Sequence, residues 1–306
     1  MSMETLDPVV LARISNLTLR ARYVVEGVLS GLHRSPHRGS SVEFVEHKEY
    51  SPGDELKHVD WKVLGRSDKY YVKQFEDETN LKAHLLLDAS GSMGYTSGPV
   101  TKLEYGRTLA ASLAYLMLNQ RDGVGLVTFS TRALRYIPPR SKSSHLQALV
   151  EALDAVRPEG ETSLSAVLSD LAEKMKRRGL LIVISDLFDS PEAVLGALRQ
   201  FRHRRHEVIV FHVLDPAEVE FPFHGLTLFR SMEDSRRVAA DPDRIRESYR
   251  DEVRKFIQMI RQECLSHQID YNLVSTAQPL DQALAEYLAA REKLLWEVSP
   301  SSIQSS

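Results

Sequence analysis

The amino-acid sequence predicts an α/β fold, a doubly wound and mostly parallel sheet preceded by a small β-rich subdomain. From about Leu81 onward, short apolar runs alternate with amphipathic stretches at helical spacing. Runs such as Leu85–Leu87 and Leu180–Ser185 lack the in–out alternation of a half-exposed strand, so they suit strands covered on both faces. Between Ser40 and Asn80 the texture differs: aromatic and β-branched residues dominate, short alternations such as Tyr71-Val72-Lys73 occur, and Ser51-Pro52-Gly53-Asp54 reads as a turn.

The elements follow in order. Pro8 to Leu32 reads as a helix, with Val10, Leu11, Ile14, Leu17, Val24, Val25 and Val28 near one face. Thr101-Lys102-Leu103-Glu104 has the form of a capping box, opening a helix that buries Leu109, Leu113, Leu116 and Met117. Val124–Phe129 is a strand and Leu134–Ile137 its hairpin partner. Two amphipathic helices follow, on Leu146, Leu149, Val150 and Leu153 and on Leu164, Val167, Leu168, Leu171 and Met175. Ser190-Pro191 caps the helix after Leu180–Ser185, with proline at its first position. Glu207–Leu214 is a strand and Leu226–Ala240 a hairpin. A long helix over Pro242–His267 is expected to bury Ile245, Tyr249, Val253, Phe256 and Ile260. Ile269–Ser275 is the last strand and Leu280–Leu295 the last helix. The domain division expected is 1–80 for the helix with the β-rich subdomain, 81–296 for the α/β domain and 297–306 for a frayed polar tail.

The chain has 306 residues, 42% hydrophobic and 26% charged, with a formal net charge of -3. That composition is ordinary for a globular protein and gives no electrostatic footprint for nucleic acid. Cys264 is the single cysteine, so no internal disulfide forms. No apolar run of about 18 residues occurs, and Met1–Arg13 lacks the basic start and apolar stretch of a secretory signal, so a cytoplasmic protein is expected.

In open parallel sheets, ligands gather at the carboxyl ends of the strands. There the sequence places Asp88-Ala89-Ser90-Gly91-Ser92, directly after the apolar run Leu85–Leu87. Alternate positions let the three oxygens turn towards one point, and hard divalent cations take oxygen ligands. Thr162 stands in a loop before a helix and Asp186 ends a strand, so both reach the same sheet edge. Asp189, three residues on, is the weaker alternative to Asp186 because it lies past the strand end.

This pattern resembles the metal-ion-dependent adhesion site of von Willebrand A domains, whose fold is Rossmann-like. The resemblance implies that Ser90 and Ser92 ligate the cation directly, that Thr162 ligates directly or through water, and that Asp88 and Asp186 hold coordinated waters. It implies Mg²⁺, with Mn²⁺ or Ca²⁺ as alternatives, and an open position for a partner's carboxylate. The first third adds His33-Arg34, Gly39 to Phe44, Glu49-Tyr50, Pro52 to Glu55, Val59 to Lys62, Arg66 and Tyr71-Val72. With these residues the chain resembles domain-of-unknown-function family fifty-eight (DUF58). Lys48, Lys57 and Gly65 depart from that family's more usual arginine, arginine and alanine. The family's frequent pairing with MoxR-type AAA+ ATPases implies an ATPase, or a client it remodels, as partner. Many members carry membrane helices ahead of this region, and none is visible here.

Competing readings fare worse. A haloacid-dehalogenase-like phosphatase needs a second acid two residues after its aspartate, where Ser90 stands. A metal-dependent hydrolase using the Asp88 constellation is the main alternative, but no general base is evident beside it. Pro52-Gly53-Asp54 with Asp60-Trp61-Lys62 is too closely spaced for the nuclease pattern it faintly echoes; Trp61 reads as a core anchor of the β-rich subdomain or as part of a partner surface. Arg199, Arg202, His203, Arg204, Arg205 and His206 read as a solvated helix end. His33, His37, His47 and His58 lack zinc-ligand spacing, and no P-loop motif occurs.

Overall fold

The computed structural model describes residues 16–32, 47–49, 71–73 and 81–298. The chain divides into two compact units, Met1–Arg34 with Leu81–Ser306, and Ser35–Asn80. In the second, strands β1 (His47–Glu49) and β2 (Tyr71–Lys73) pair antiparallel, with Lys48 opposite Val72. The turn at Ser51–Asp54, Trp61, the start of the first helix at Pro8, His33, His37, His58 and the tail from residue 299 lie outside the described residues.

The larger unit runs α1 (Leu17–Leu32), β3 (Lys82–Asp88), α2 (Lys102–Asn119), β4 (Gly123–Phe129), β5 (Ala133–Arg140), α3 (His145–Ala155), α4 (Leu164–Lys174) and β6 (Leu180–Ser185). It continues through α5 (Pro191–His203), β7 (Glu207–Leu214), α6 (Pro216–Glu220), β8 (Thr227–Arg230), β9 (Arg237–Ala240), α7 (Pro242–Ser266), β10 (Asp270–Ser275) and α8 (Leu280–Val298). Among the described residues its sheet has six strands, in the order β10-β7-β6-β3-β4-β5. All neighbours run parallel except β5, which returns antiparallel on β4.

Successive side chains of each central strand point to opposite faces, and both faces are covered. Leu85, Leu87, Ile182 and Ile184 join the core under α1, α2, α3 and α8. Leu86, Leu181 and Val183 join the core under α4, α5 and α7. Removing such a side chain from water contributes about 1.5–3 kcal/mol each, which explains why these strands read as unbroken apolar runs. The α/β class with a mostly parallel sheet is as the sequence predicts.

Helix α1 packs Leu17, Ala21, Val24 and Val28 into the larger unit's core and groups with that unit. Several details differ from expectation. Only half of the capping box forms: Thr101 accepts the Glu104 amide at 3.1 Å, while the Glu104 carboxylate pairs with Arg20 of α1 and with Arg107. Two ion pairs outcompete one backbone contact for that carboxylate. Leu116 is half-buried and Leu118 takes its place in the core. Ile245 is 39% exposed, while the first turns of α7 pack on the segment after α6 through Arg246 and Tyr249. The short helix α6 has no counterpart in the sequence reading.

Strand β5 ends the sheet irregularly. Val124 pairs with Arg140 but Leu126 with Ile137, so Pro138 and Pro139 stand together opposite Gly125. A Cβ on Gly125 would lie 2.7 Å from the Ile137 carbonyl oxygen, so the bulge requires glycine there.

Candidate metal centre

From β3 the chain crosses to β4 on one side, and from β6 to β7 on the other. The crevice where the two directions part is the usual ligand site of such sheets. Asp88 ends β3 and Asp186 follows β6, so both carboxylates arrive there, fully buried. The loops 89–92 and 159–162 are laced together: Gly91 N–H donates to the Gly160 carbonyl at 2.8 Å, and Glu159 N–H to the Ala89 carbonyl at 2.9 Å.

Asp88 is the hub. Its Oδ1 accepts the Ser90 amide at 2.9 Å. Its Oδ2 accepts the Ser185 hydroxyl at 2.6 Å and the Thr162 hydroxyl at 3.3 Å. The Ser90 and Ser92 hydroxyl oxygens lie 3.1 Å apart. Burial, and next the charge of Asp186, raise the Asp88 pKa above the carboxylate range, against the opposing pull of these donors. A cation held here would relieve that repulsion.

The donor set fits a hard divalent ion. The Ser90 and Ser92 hydroxyl oxygens, 3.1 Å apart, stand close enough to serve as neighbouring ligands of one cation. Among the described residues no group of three or more His, Cys, Asp or Glu converges on one metal position, so hydroxyls would have to supply the ligands.

Asp186 is engaged differently from the other four. Lys102 Nζ lies 2.7 Å from its Oδ2 and 2.5 Å from Glu218 Oε1, and also 4.9 Å from the centre of the Phe188 ring. The Phe188 amide donates to Asp186 Oδ1 at 3.3 Å. Leu187 between them adopts φ 58°, a left-handed conformation that an L side chain resists. Asp189 points elsewhere, its Oδ2 accepting the Ser165 amide and hydroxyl at 3.2 Å each at the start of α4.

Four further residues shape this crevice. Ser185 orients Asp88 while accepting the Leu187 amide at 2.9 Å, and its signal is a polar residue closing an apolar strand. Lys102 is fully buried in the first turn of α2, where a cation opposes the helix dipole. That local conflict is the sequence signal for it. Glu218 and Glu233 come from α6 and the β8–β9 turn, and no local pattern marks them. The turn lies over the loop: a Cβ on Gly91 would sit 2.1 Å from the Met232 carbonyl oxygen.

Elsewhere, Arg202 donates to the His206 carbonyl at 2.8 Å and Arg204 to the Ala172 carbonyl, so those cations finish helix ends. Cys264 is buried, which pushes its thiol up to about 12. No helix among the described residues is long and apolar enough to cross a membrane.

The uncharacterized protein Rv1480 of Mycobacterium tuberculosis is 28% identical over 242 residues, 77% of this chain and 75% of its own length. The crystal structure of the conserved hypothetical protein BatB from Bacteroides thetaiotaomicron superposes with a TM-score of 0.49 at 17% identity, over 70% of this chain and 99% of that one. An aerotolerance-related membrane protein from Bacteroides fragilis gives 0.47 at 18% identity, over 69% and 99%. The family described as "Protein of unknown function DUF58" matches residues 46–258, more than half of the sequence, and the chain belongs to that family.

Proposed function

We propose that the larger unit is a von Willebrand A-type binding module that holds one divalent cation and uses it to accept a carboxylate from a protein partner. Ser90, Ser92 and Thr162 would hold the ion, and Asp88 and Asp186 would supply charge and orient its waters. When bound, the cation contributes Lewis acidity toward an incoming carboxylate. The observation that carries the reading is the hydroxyl pair 3.1 Å apart above a fully buried Asp88 that three further groups orient. Mg²⁺ is the expected ion, with Mn²⁺ or Ca²⁺ as alternatives. The family resemblance supplies the expected partner, a MoxR-type AAA+ ATPase or its client.

The test is capture of that ATPase by tagged wild type and Asp88→Ala, each with Mg²⁺ and with chelator. Capture by wild type with Mg²⁺ alone supports a metal-gated adaptor. Equal capture in all four arms overturns it.

One observation bears on the hydrolytic alternative. Glu233 stands near Ser92 and gives the site a carboxylate that could serve as a base. Metal-dependent phosphatase turnover that Glu233→Gln abolishes would establish that reading. Binding is favoured because the turn carrying Glu233 is packed over Gly91.

A further inference from the structure

The β8–β9 hairpin reaches the crevice from a distant part of the chain, and its approach is fixed at both ends. At its base, Phe229 stacks on Phe221 at 5.5 Å and meets Phe223 edge-on at 5.4 Å, and Phe221 stacks on Tyr249 of α7 at 4.2 Å. Arg246 and Arg250 of α7 donate to the carbonyls of Phe221, Phe223 and Glu220. At its tip, the Ser231 amide donates to the Arg236 carbonyl at 2.9 Å, and the Ser231 hydroxyl accepts the Asp234 amide at 3.2 Å. Asp234 is bound in turn by Arg236 at 2.5 Å. The tip is therefore a built turn pressed on the loop at Gly91.

Within that turn the two carboxylates differ. Asp234 is spent on Arg236, whereas Glu233 has Oε1 shielded from solvent and without any hydrogen-bond partner. Burial acts most strongly on the Glu233 carboxylate; the Ser92 hydroxyl and the Thr162 amide donate to it, and the charges of Asp186 and Glu161 lie near, a neighbourhood made mostly of the candidate metal ligands. The shielded Oε1 has no donor of its own, so the arrangement calls for a positive partner. Among the described residues no lysine or arginine is paired with Glu233.

We infer that Glu233 is a ligand of the cation supplied by this chain itself, occupying the coordination position otherwise left for a partner's carboxylate. The inference rests on the metal-binding reading above and deepens it. A partner carboxylate must then displace Glu233, and the hairpin tip lifts from Gly91 as it does so. Ligand exchange balances simply: one carboxylate leaves the ion as another arrives, with no change in net charge.

The experiment uses the full chain and Mn²⁺ alone as probe. Free Mn²⁺ is counted by electron paramagnetic resonance for wild type, Asp88→Ala, Glu233→Gln and Glu233→Asp. Bound-ion waters are counted by ¹⁷O-water double resonance, and amide exchange is followed at residues 231–236. Glu233→Gln should bind at least about tenfold more weakly than wild type. It should carry one additional water and lose the Mn²⁺-induced protection of the tip, with Glu233→Asp falling between. Equal affinity and equal water count in wild type and Glu233→Gln, with binding still abolished by Asp88→Ala, overturn the role of Glu233 alone. Absence of binding to wild type, or binding unchanged by Asp88→Ala, overturns the metal centre itself.

Discussion

Lys102 and Asp186 form an ion pair of which neither side chain is exposed, with Nζ 2.7 Å from Oδ2. The lysine also reaches Glu218 at 2.5 Å, so two carboxylates from different elements share one ammonium. Burial alone would lower the Lys102 pKa, yet the charges and hydrogen bonds of Asp186 and Glu218 together raise it. The pair ties α2 and α6 to the strand end that carries Asp186.

Removing the lysine leaves Asp186 buried without its counter-charge. Lys102→Met should cost about 3–5 kcal/mol in chelator, read from urea unfolding. Mn²⁺ should restore part of the loss by supplying a substitute charge. A loss below about 1 kcal/mol would show that the pair is not what holds these elements together.

Ser185 is the shortest hydrogen-bond donor to Asp88, at 2.6 Å, and is itself buried. Ser185→Ala removes no proposed ligand but frees Asp88 Oδ2 to turn. Mn²⁺ affinity should fall about 10–100-fold and stability by about 1–3 kcal/mol. Unchanged affinity would mean that Thr162 and the Ser90 amide suffice to aim the carboxylate.

Gly91 has no space for a side chain, because the Met232 carbonyl oxygen occupies it. Gly91→Ala must push the hairpin tip outward. The expected signs are faster amide exchange at residues 231–236 and a stability loss of about 1–3 kcal/mol. Protection equal to wild type would mean that the loop yields instead of the turn.

His84, buried in β3, has its pKa lowered from 6.5 to about 4, first by burial and then by His206 and Lys82. The unfolded chain therefore takes up this proton more readily than the folded one. The stability that neutral His84 contributes is complete above pH 6.5 and is lost as pH falls towards about 4. The loss amounts to roughly 3 kcal/mol at most. His212 titrates with the same sign, also to about 4. His84→Leu should flatten the acid limb of a stability–pH curve between those values, and an unaltered limb would assign the acid sensitivity elsewhere.

Much of the fold is legible because burial on both faces writes itself locally. Leu180–Ser185 and Glu207–Leu214 carry six and eight residues with almost no polar interruption, and the strands have those bounds. Ser190 likewise accepts the Ala193 amide, as its place before Pro191 predicts. The candidate site is legible only where its residues leave strands. Asp88, Ser90, Ser92 and Thr162 come together through direct hydrogen bonds, and Asp186 acts on Asp88 through its charge. Glu218 and Glu233 escape notice because no local pattern marks them, and the local conflict at Lys102 does not name its partners: Lys102 meets Asp186 across 84 positions and Glu218 across 116. Ile245 misleads for the opposite reason, since helical spacing says which face a residue shares but not what that face meets.

The paired prolines of β5 have an effect beyond the bulge. An open sheet offers its outermost strand as a template, and a foreign segment can extend it only if amide hydrogens are available along the rim. Pro138 and Pro139 have no amide hydrogen to offer, and Arg135 and Arg140 place charge on either side. Growth of the sheet by strand addition is thereby discouraged at this end, which keeps a strand whose residues are mostly exposed from recruiting another chain.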